Sequence, residues 1–305
     1  MSAPTQSPLE GLDTVDWADL HHAYGSAADV PGQLTALLSA DAEERHQAHN
    51  QLRGNVYHQG TRWQASCHVV PFLTGLVDDP GTPDRAAVAD LLRAIALGDR
   101  DDTHLPFEPA REFARAENVT STDVAAVVDW LNSDNEDGDG PEESEAVAVS
   151  WDRDAYLAAA AVSDRFAAWT DDPDPMIAAR AAELLSWFPA TRSVVARLMD
   201  IPAAEGNQVA RASANLSLGY LAPDASAADD RLTALLAAGT FGVQLTAAVA
   251  LALRLGDRIP DAGLQILAEA RDRADEITAT AFPVPWRRSR LGFTALALYR
   301  IGLSP

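Results

Sequence analysis

The sequence predicts an all-α protein, a solenoid of stacked antiparallel helix pairs. Three observations carry that expectation: apolar residues recur with a helical period, glycine and proline punctuate the runs, and matching positions return at intervals in the thirties. Ile177, Ala181, Leu184 and Leu185 form one apolar stripe, Val209, Ala212 and Leu216 a second, and Val243, Ala247 and Leu251 a third. Each places apolar side chains on one face of a helix, with small alanines where neighbours would cross closely. Gly219 and Gly256 follow the last periodic residues, where a left-handed C-cap would be needed, and Pro223 and Pro260 lie a little beyond. Ala181, Ala212 and Ala247 mark the repeat, whose period suits two-helix units and neither heptads nor propeller blades. An isolated pair could not bury its stripe, so neighbouring pairs must stack.

The first third reads as an atypical start of the same array, with helices expected at 17–24, 32–38, 43–53, 62–77 and 84–97. Residues 132–146 interrupt the pattern with an acidic run that lacks an apolar anchor, expected to be a mobile surface loop. The whole chain, 1–305, is therefore expected to be one domain: atypical repeats over 1–100, the loop at 132–146, and regular repeats over 150–303.

These repeats resemble the HEAT-repeat superfamily, in particular the short HEAT-like repeats named after phycobilisome lyases, most clearly over 175–303. The segments His-Ala-Tyr-Gly-Ser-Ala-x-Asp-Val-Pro at 22–31, and His-Gln-Gly-Thr followed by Ala-Ser and Val-Pro-Phe-Leu at 58–73, look like segments common in actinobacterial HEAT-repeat proteins. The resemblance implies a right-handed α-solenoid of HEAT-like antiparallel helix pairs. It says little about activity.

Composition removes several kinds of chemistry. All 23 basic side chains are arginines, so a lysine Schiff base, a Walker-type phosphate loop and the usual lysine-dependent kinase are excluded. The single Cys67 rules out an internal disulfide and a cysteine-built zinc site. The first residues lack the charged and apolar segments of a secretory signal, and Val243 to Leu253 is too short to span a bilayer, so a cytoplasmic protein without a membrane partner is expected. A formal charge of −22 disfavours nucleic acid and favours a protein or peptide partner of basic character. Against it, Arg287, Arg288 and Arg290 make a thin basic footprint. No cofactor signature is present and no cofactor is expected.

Candidate site residues concentrate in the first third, where six of the seven histidines lie. A helix over 17–24 would put Trp17, His21 and Tyr24 on one side, either lining an aromatic pocket or covering the end of the solenoid. His58, Gln59, Gly60 and Thr61 fall between two helices. Capping would account for Gly60 and Thr61 and leave His58 and Gln59 free for binding. Glu43, His46 and His49 share a face and begin, without completing, a metal site. An EF-hand alignment through Gly138 or Gly140 fails, since Ser144 or Ala146 stands where a bidentate glutamate is required. Ser66-Cys67-His68, expected within a helix, has triad residue types pointing to different faces. Two functions follow as expectations. One is an interaction or scaffold module with an acidic concave surface. The alternative is a small-molecule enzyme or ligand-binding protein with a His/Asp/Tyr pocket in the first third.

Overall fold

The structure, a computed structural model, describes residues 7–133, 140–221, 226–273 and 284–303. Among them helices predominate, and the strands form two short hairpins. The chain gathers into two compact units. The first comprises Met1–Asp99 and Glu108–Val162, the second Arg100–Phe107 and Ser163–Pro305.

In the first unit, α1 (Val30–Ala36) and α2 (Ala42–Val56) are followed by α3 (Ser66–Asp78) and α4 (Arg85–Leu97). The Asp41 carboxylate accepts from the Glu43 amide and satisfies a free donor at the start of α2. The core is built on α3 and α4, which bury Val69, Val70, Leu73, Leu76, Leu91, Leu92 and Ile95 completely. After the single turn α5 (Pro109–Glu112) come α6 (Ser121–Leu131), capped reciprocally by Thr120 and Asp123, and α7 (Ser144–Ala161), which packs on α3 and α4. The acidic run and its calcium-loop alignment lie largely outside the described residues, which resume at Gly140.

Two expectations for this unit are corrected. The helix over 17–24 is absent: a single 3-10 turn, Trp17–Asp19, leads into β1 (His21–His22), which pairs antiparallel with β2 (Gly25–Ser26). The spacing of Trp17, His21 and Tyr24 imitates a helical stripe, but the chain reverses at Ala23 and Tyr24, Gly25 at φ 120° pairs with His22, and Ala27 closes back on the Leu20 carbonyl. The helix expected over 62–77 starts only at Ser66, because Tyr57–His58 (β3) and Thr61–Arg62 (β4) form a second hairpin. Gln59 (φ 48°) and Gly60 (φ 90°) are its two turn residues, both left-handed, as a primed two-residue turn requires. Gly60 and Thr61 are therefore hairpin residues and not helix caps. Ser66-Cys67-His68 occupies the first turn of α3, where the Ser66 hydroxyl donates to the Val56 carbonyl at 2.6 Å and accepts from the Trp63 amide.

The second unit contains α8 (Ser163–Trp169), α9 (Pro175–Leu185), α10 (Arg192–Asp200), α11 (Gln208–Tyr220), α12 (Ser226–Leu235), α13 (Phe241–Leu255), α14 (Asp261–Asp272) and α15 (Arg290–Arg300). The three helices carrying the repeated stripes are neighbours: α11 packs on α9 and on α13, and α13 also meets α12, α14 and α15. Fully buried alanines such as Ala181, Ala212 and Ala247 allow the close approach. Small polar side chains join the row, Ser213 and Ser217 donating to the Ala179 and Ala182 carbonyls at 2.6 Å and Asn215 to the Val243 carbonyl at 3.1 Å. Gly256 caps α13 at φ 58°, as its position predicts. Gly219 does not cap α11, which continues through Tyr220; a Cβ there would lie 3.1 Å from the Ala250 Cα, so this glycine serves a helix crossing. Pro223 lies outside the described residues. Arg211, fully buried, donates to the Leu198, Met199 and Ile201 carbonyls and closes the end of α10; burial lowers its pKa to about 9. No helix among the described residues is long and apolar enough to cross a membrane.

Candidate functional site

The two hairpins of the first unit bring together part of the expected site. The Tyr24 hydroxyl lies 3.2 Å from His58 Nδ1, and the two rings meet in a T-shaped arrangement with centroids 5.3 Å apart. Tyr24 sits at the turn of the first hairpin with 69% of its surface exposed, and Gln59 is exposed at the turn of the second. Thr61 pairs with His58 in the ladder.

Beneath Tyr24 lies a hydrogen-bonded relay. The Tyr24 amide donates to His22 Nδ1 at 3.0 Å, so that nitrogen bears no proton, and Nε2 donates to the Asp29 carboxylate at 3.0 Å. The other Asp29 oxygen accepts from the side-chain amides of Gln33 (2.8 Å, on α1) and Asn55 (3.0 Å, on α2). The Asn55 carbonyl in turn accepts from the Ala23 amide. Both nitrogens of His22 are thus committed to fixing the hairpin, and a proton-transfer role would require breaking one of these bonds.

The second hairpin is fastened to the end of α4. Tyr57 donates to the Asp99 carboxylate at 2.6 Å, and the buried Arg62 donates to the Gly60 carbonyl and pairs with Asp152 of α7 at 2.6 Å. Gly98 leaves room for that guanidinium, and a Cβ on Gly60 would lie 2.5 Å from an Asp99 oxygen.

Trp17 and His21 separate from Tyr24. Trp17 is buried, donates to the Leu12 carbonyl and packs against His68 and Phe72, which makes it a core residue. His21 is buried with its ring 5.9 Å from that of Trp63, while its backbone ties the hairpin to Gln64 and Ala65. Burial holds its pKa below the ordinary histidine value, opposed by a bond to Asn132. The three-residue face expected of Trp17, His21 and Tyr24 does not form, because the three lie in different local structures, a 3-10 turn, a strand and a hairpin turn.

Glu43, His46 and His49 lie on α2 as expected, but each is otherwise engaged: Glu43 with Gln47, His46 with Asn50 at 2.9 Å, and His49 with the Ala87 carbonyl at 3.2 Å. Burial lowers the His49 pKa. A cavity of about 630 Å³ between α2 and α4 is lined by Arg45, His46, His49, Asn50, Asp84 and Val88 among others. Among the described residues no group of three or more His, Cys, Asp or Glu side chains is arranged to hold a metal ion.

Sequence reasoning missed a buried polar centre in the second unit. Asp102, with a side chain 1% exposed, accepts from Arg288 Nε at 2.6 Å and from the Tyr220 hydroxyl at 3.0 Å. Burial, reinforced by Asp102, raises the Tyr220 pKa far above the ordinary phenol value. Tyr220 stacks on Trp286, whose indole donates to Ser213. The residues are contiguous in sequence only as Asp101-Asp102 and Arg287-Arg288, each of which looks like an ordinary surface charge run. Their chemistry here is to fasten the Arg100–Phe107 segment within its unit.

Charge is distributed unequally. The residues of the first unit include 27 acidic side chains against 8 arginines, a formal −19, whereas those of the second include 18 against 15, a formal −3. Asp13, Asp16 and Asp19 are exposed in the stretch leading into β1, and the Trp17–Asp19 turn packs beside β2, with Ser26 donating to the Ala18 carbonyl at 2.9 Å. The first hairpin therefore stands among carboxylates. No family model, no curated protein and no solved structure matches this chain.

Proposed function

We propose that this chain is a protein-interaction module whose first unit takes a protein or peptide of basic character. The observation that carries the reading is the segregation of charge, −19 on the first unit against −3 on the second. A field of that sign concentrates cationic partners and speeds their encounter, and it repels phosphate backbones. The hairpins support the reading: they present an exposed tyrosine on a backbone fixed by part-buried hydrogen bonds, which is how a rigid scaffold displays a contact residue. The enzyme alternative gains less, since His22 has both nitrogens bonded and the cavity between α2 and α4 is lined by neither Tyr24 nor His58.

The test is fluorescence anisotropy of a labelled arginine-rich peptide against the full chain at low and physiological salt. Asp13, Asp16 and Asp19 are changed together to Asn in one variant, and Asp257, Asp261 and Asp272, also exposed, in another. Binding that weakens with salt and with the first variant alone is expected. Failure of the wild type to bind at low salt, or equal weakening by both variants, overturns the proposal.

A further inference from the structure

Among the described residues the chain stacks its own guanidinium groups on aromatic rings: Arg53 over Tyr57 at 5.2 Å, Arg100 over Phe107 at 5.2 Å, Arg273 over Phe241 at 5.4 Å and Arg288 over Phe293 at 5.9 Å. Tyr24 differs from all of these rings. It is 69% exposed, and like Tyr57 it belongs to the unit with the large negative charge.

Its ring is also held in place. One imidazole, His58, meets it edge to face at 5.3 Å and bonds its hydroxyl, and a second, His22, meets it at 6.4 Å. The backbone amide of Tyr24 is tied through His22 to Asp29, a carboxylate whose side chain is 53% exposed. Little rotamer entropy is left to lose when a group stacks on such a ring. Exposed carboxylates at Asp16 and Asp19 precede the hairpin and Asp29 follows it, so a cation arriving at the ring finds negative charge on both sides in the chain. Electron-rich face, fixed orientation and exposed carboxylates flanking the hairpin in the chain together describe an acceptor for a flat cation.

We infer that Tyr24 is the recognition point of the acidic unit, and that it takes an arginine side chain of the basic partner by stacking, with Asp16, Asp19 and Asp29 as counter-charges. Arginine is favoured over lysine because the guanidinium is planar, stacks on aromatic faces and loses less hydration than an ammonium group. The inference rests on the interaction-module reading above and assigns its contact residue.

Binding of three peptides of one sequence, with arginine, lysine or neutral citrulline at the basic positions, is measured against wild type, Tyr24→Phe and Tyr24→Leu. Tyr24 is exposed, so both variants are expected to melt with the wild type, which is checked by circular dichroism. Tight binding of the arginine peptide, weakened about fivefold or more by Tyr24→Leu and largely kept by Tyr24→Phe, is the expected pattern for a cation–π contact with partial desolvation. Wild-type binding unchanged in Tyr24→Leu overturns this inference and leaves the interaction module standing. Equal affinity for the lysine peptide overturns the guanidinium assignment. No binding of either basic peptide by the wild type removes both readings together.

Discussion

Replacing Asp29 by Ala removes the acceptor shared by three side chains. His22, Gln33 and Asn55 are each 9% exposed or less, and each donates to this carboxylate at 2.8–3.0 Å. A buried donor left without a partner costs about 1–3 kcal/mol, so three would cost several kcal/mol if water were excluded. Water is not excluded, because the Asp29 side chain is 53% exposed and the space it vacates is open to solvent. Rehydration offsets much of the loss and leaves an expected destabilisation of about 2–3 kcal/mol. For a cooperative unit of about 150 residues that corresponds to a fall in Tm of about 4–10 °C. Differential scanning calorimetry of the full chain, with the intrinsic fluorescence of Trp17 and Trp63 reporting on the first unit, measures it. Asp29→Asn keeps a carbonyl but turns an NH2 group toward donors, and should fall between. Asn55→Ala added to Asp29→Ala should cost less than the two changes separately, since the donor orphaned by the first is removed by the second. A Tm within about 1 °C of wild type for Asp29→Ala, or strict additivity in the double variant, would refute the claim that this carboxylate fastens the first hairpin to α1 and α2.

Gly60→Ala forces a side chain into a left-handed turn at φ 90° and against an Asp99 oxygen 2.5 Å away, and should destabilise the first unit by about 1–3 kcal/mol, read from urea unfolding. Stability should also fall in mild acid. His21, His49 and His68 have folded pKa values depressed chiefly by burial, so the unfolded chain binds more protons once the pH drops below the ordinary value of 6.5. Their penalty is absent above that value and grows as the pH falls toward the folded values; a Tm independent of pH between neutrality and that range contradicts it. Cys67 has its thiol pKa raised to about 11, mainly by burial, so alkylation by iodoacetamide at neutral pH should be slow in the native protein and fast in urea.

What the sequence revealed followed the physics of long elements. α9, α11 and α13 were legible because their stripes repeat over several turns and their alanines mark crossings, and Gly256 was legible as a cap because it terminates one such stripe. The hairpins were not, since strands of two residues carry no period, and His21–Ser26 happens to continue a helical spacing begun at Trp17. Gln59-Gly60 looks like a junction between helices because a primed turn and a glycine C-cap use the same left-handed residue. Among the candidates, Tyr24 and His58 meet across the two hairpins, a contact between residues 34 apart that no local pattern encodes. The charge total was evident at once, while its concentration in one unit depended on where the chain divides. Asp102 and Arg288, 186 residues apart, looked like surface charges for the same reason.

The interleaving of the two units bears on how the chain is made. The segment Arg100–Phe107 is synthesised in the middle of the first unit yet belongs to the second, where Asp102 waits for Tyr220 and Arg288. During N-to-C synthesis the first unit cannot be completed until residue 162 has emerged, and throughout that time the carboxylate of Asp102 stays hydrated, its partners not yet translated. A break between residues 162 and 163 therefore does not release an intact second unit: the piece beginning at Ser163 would keep Tyr220 and Arg288 while their shared carboxylate left with the other fragment. No single cut in the gene separates the two units.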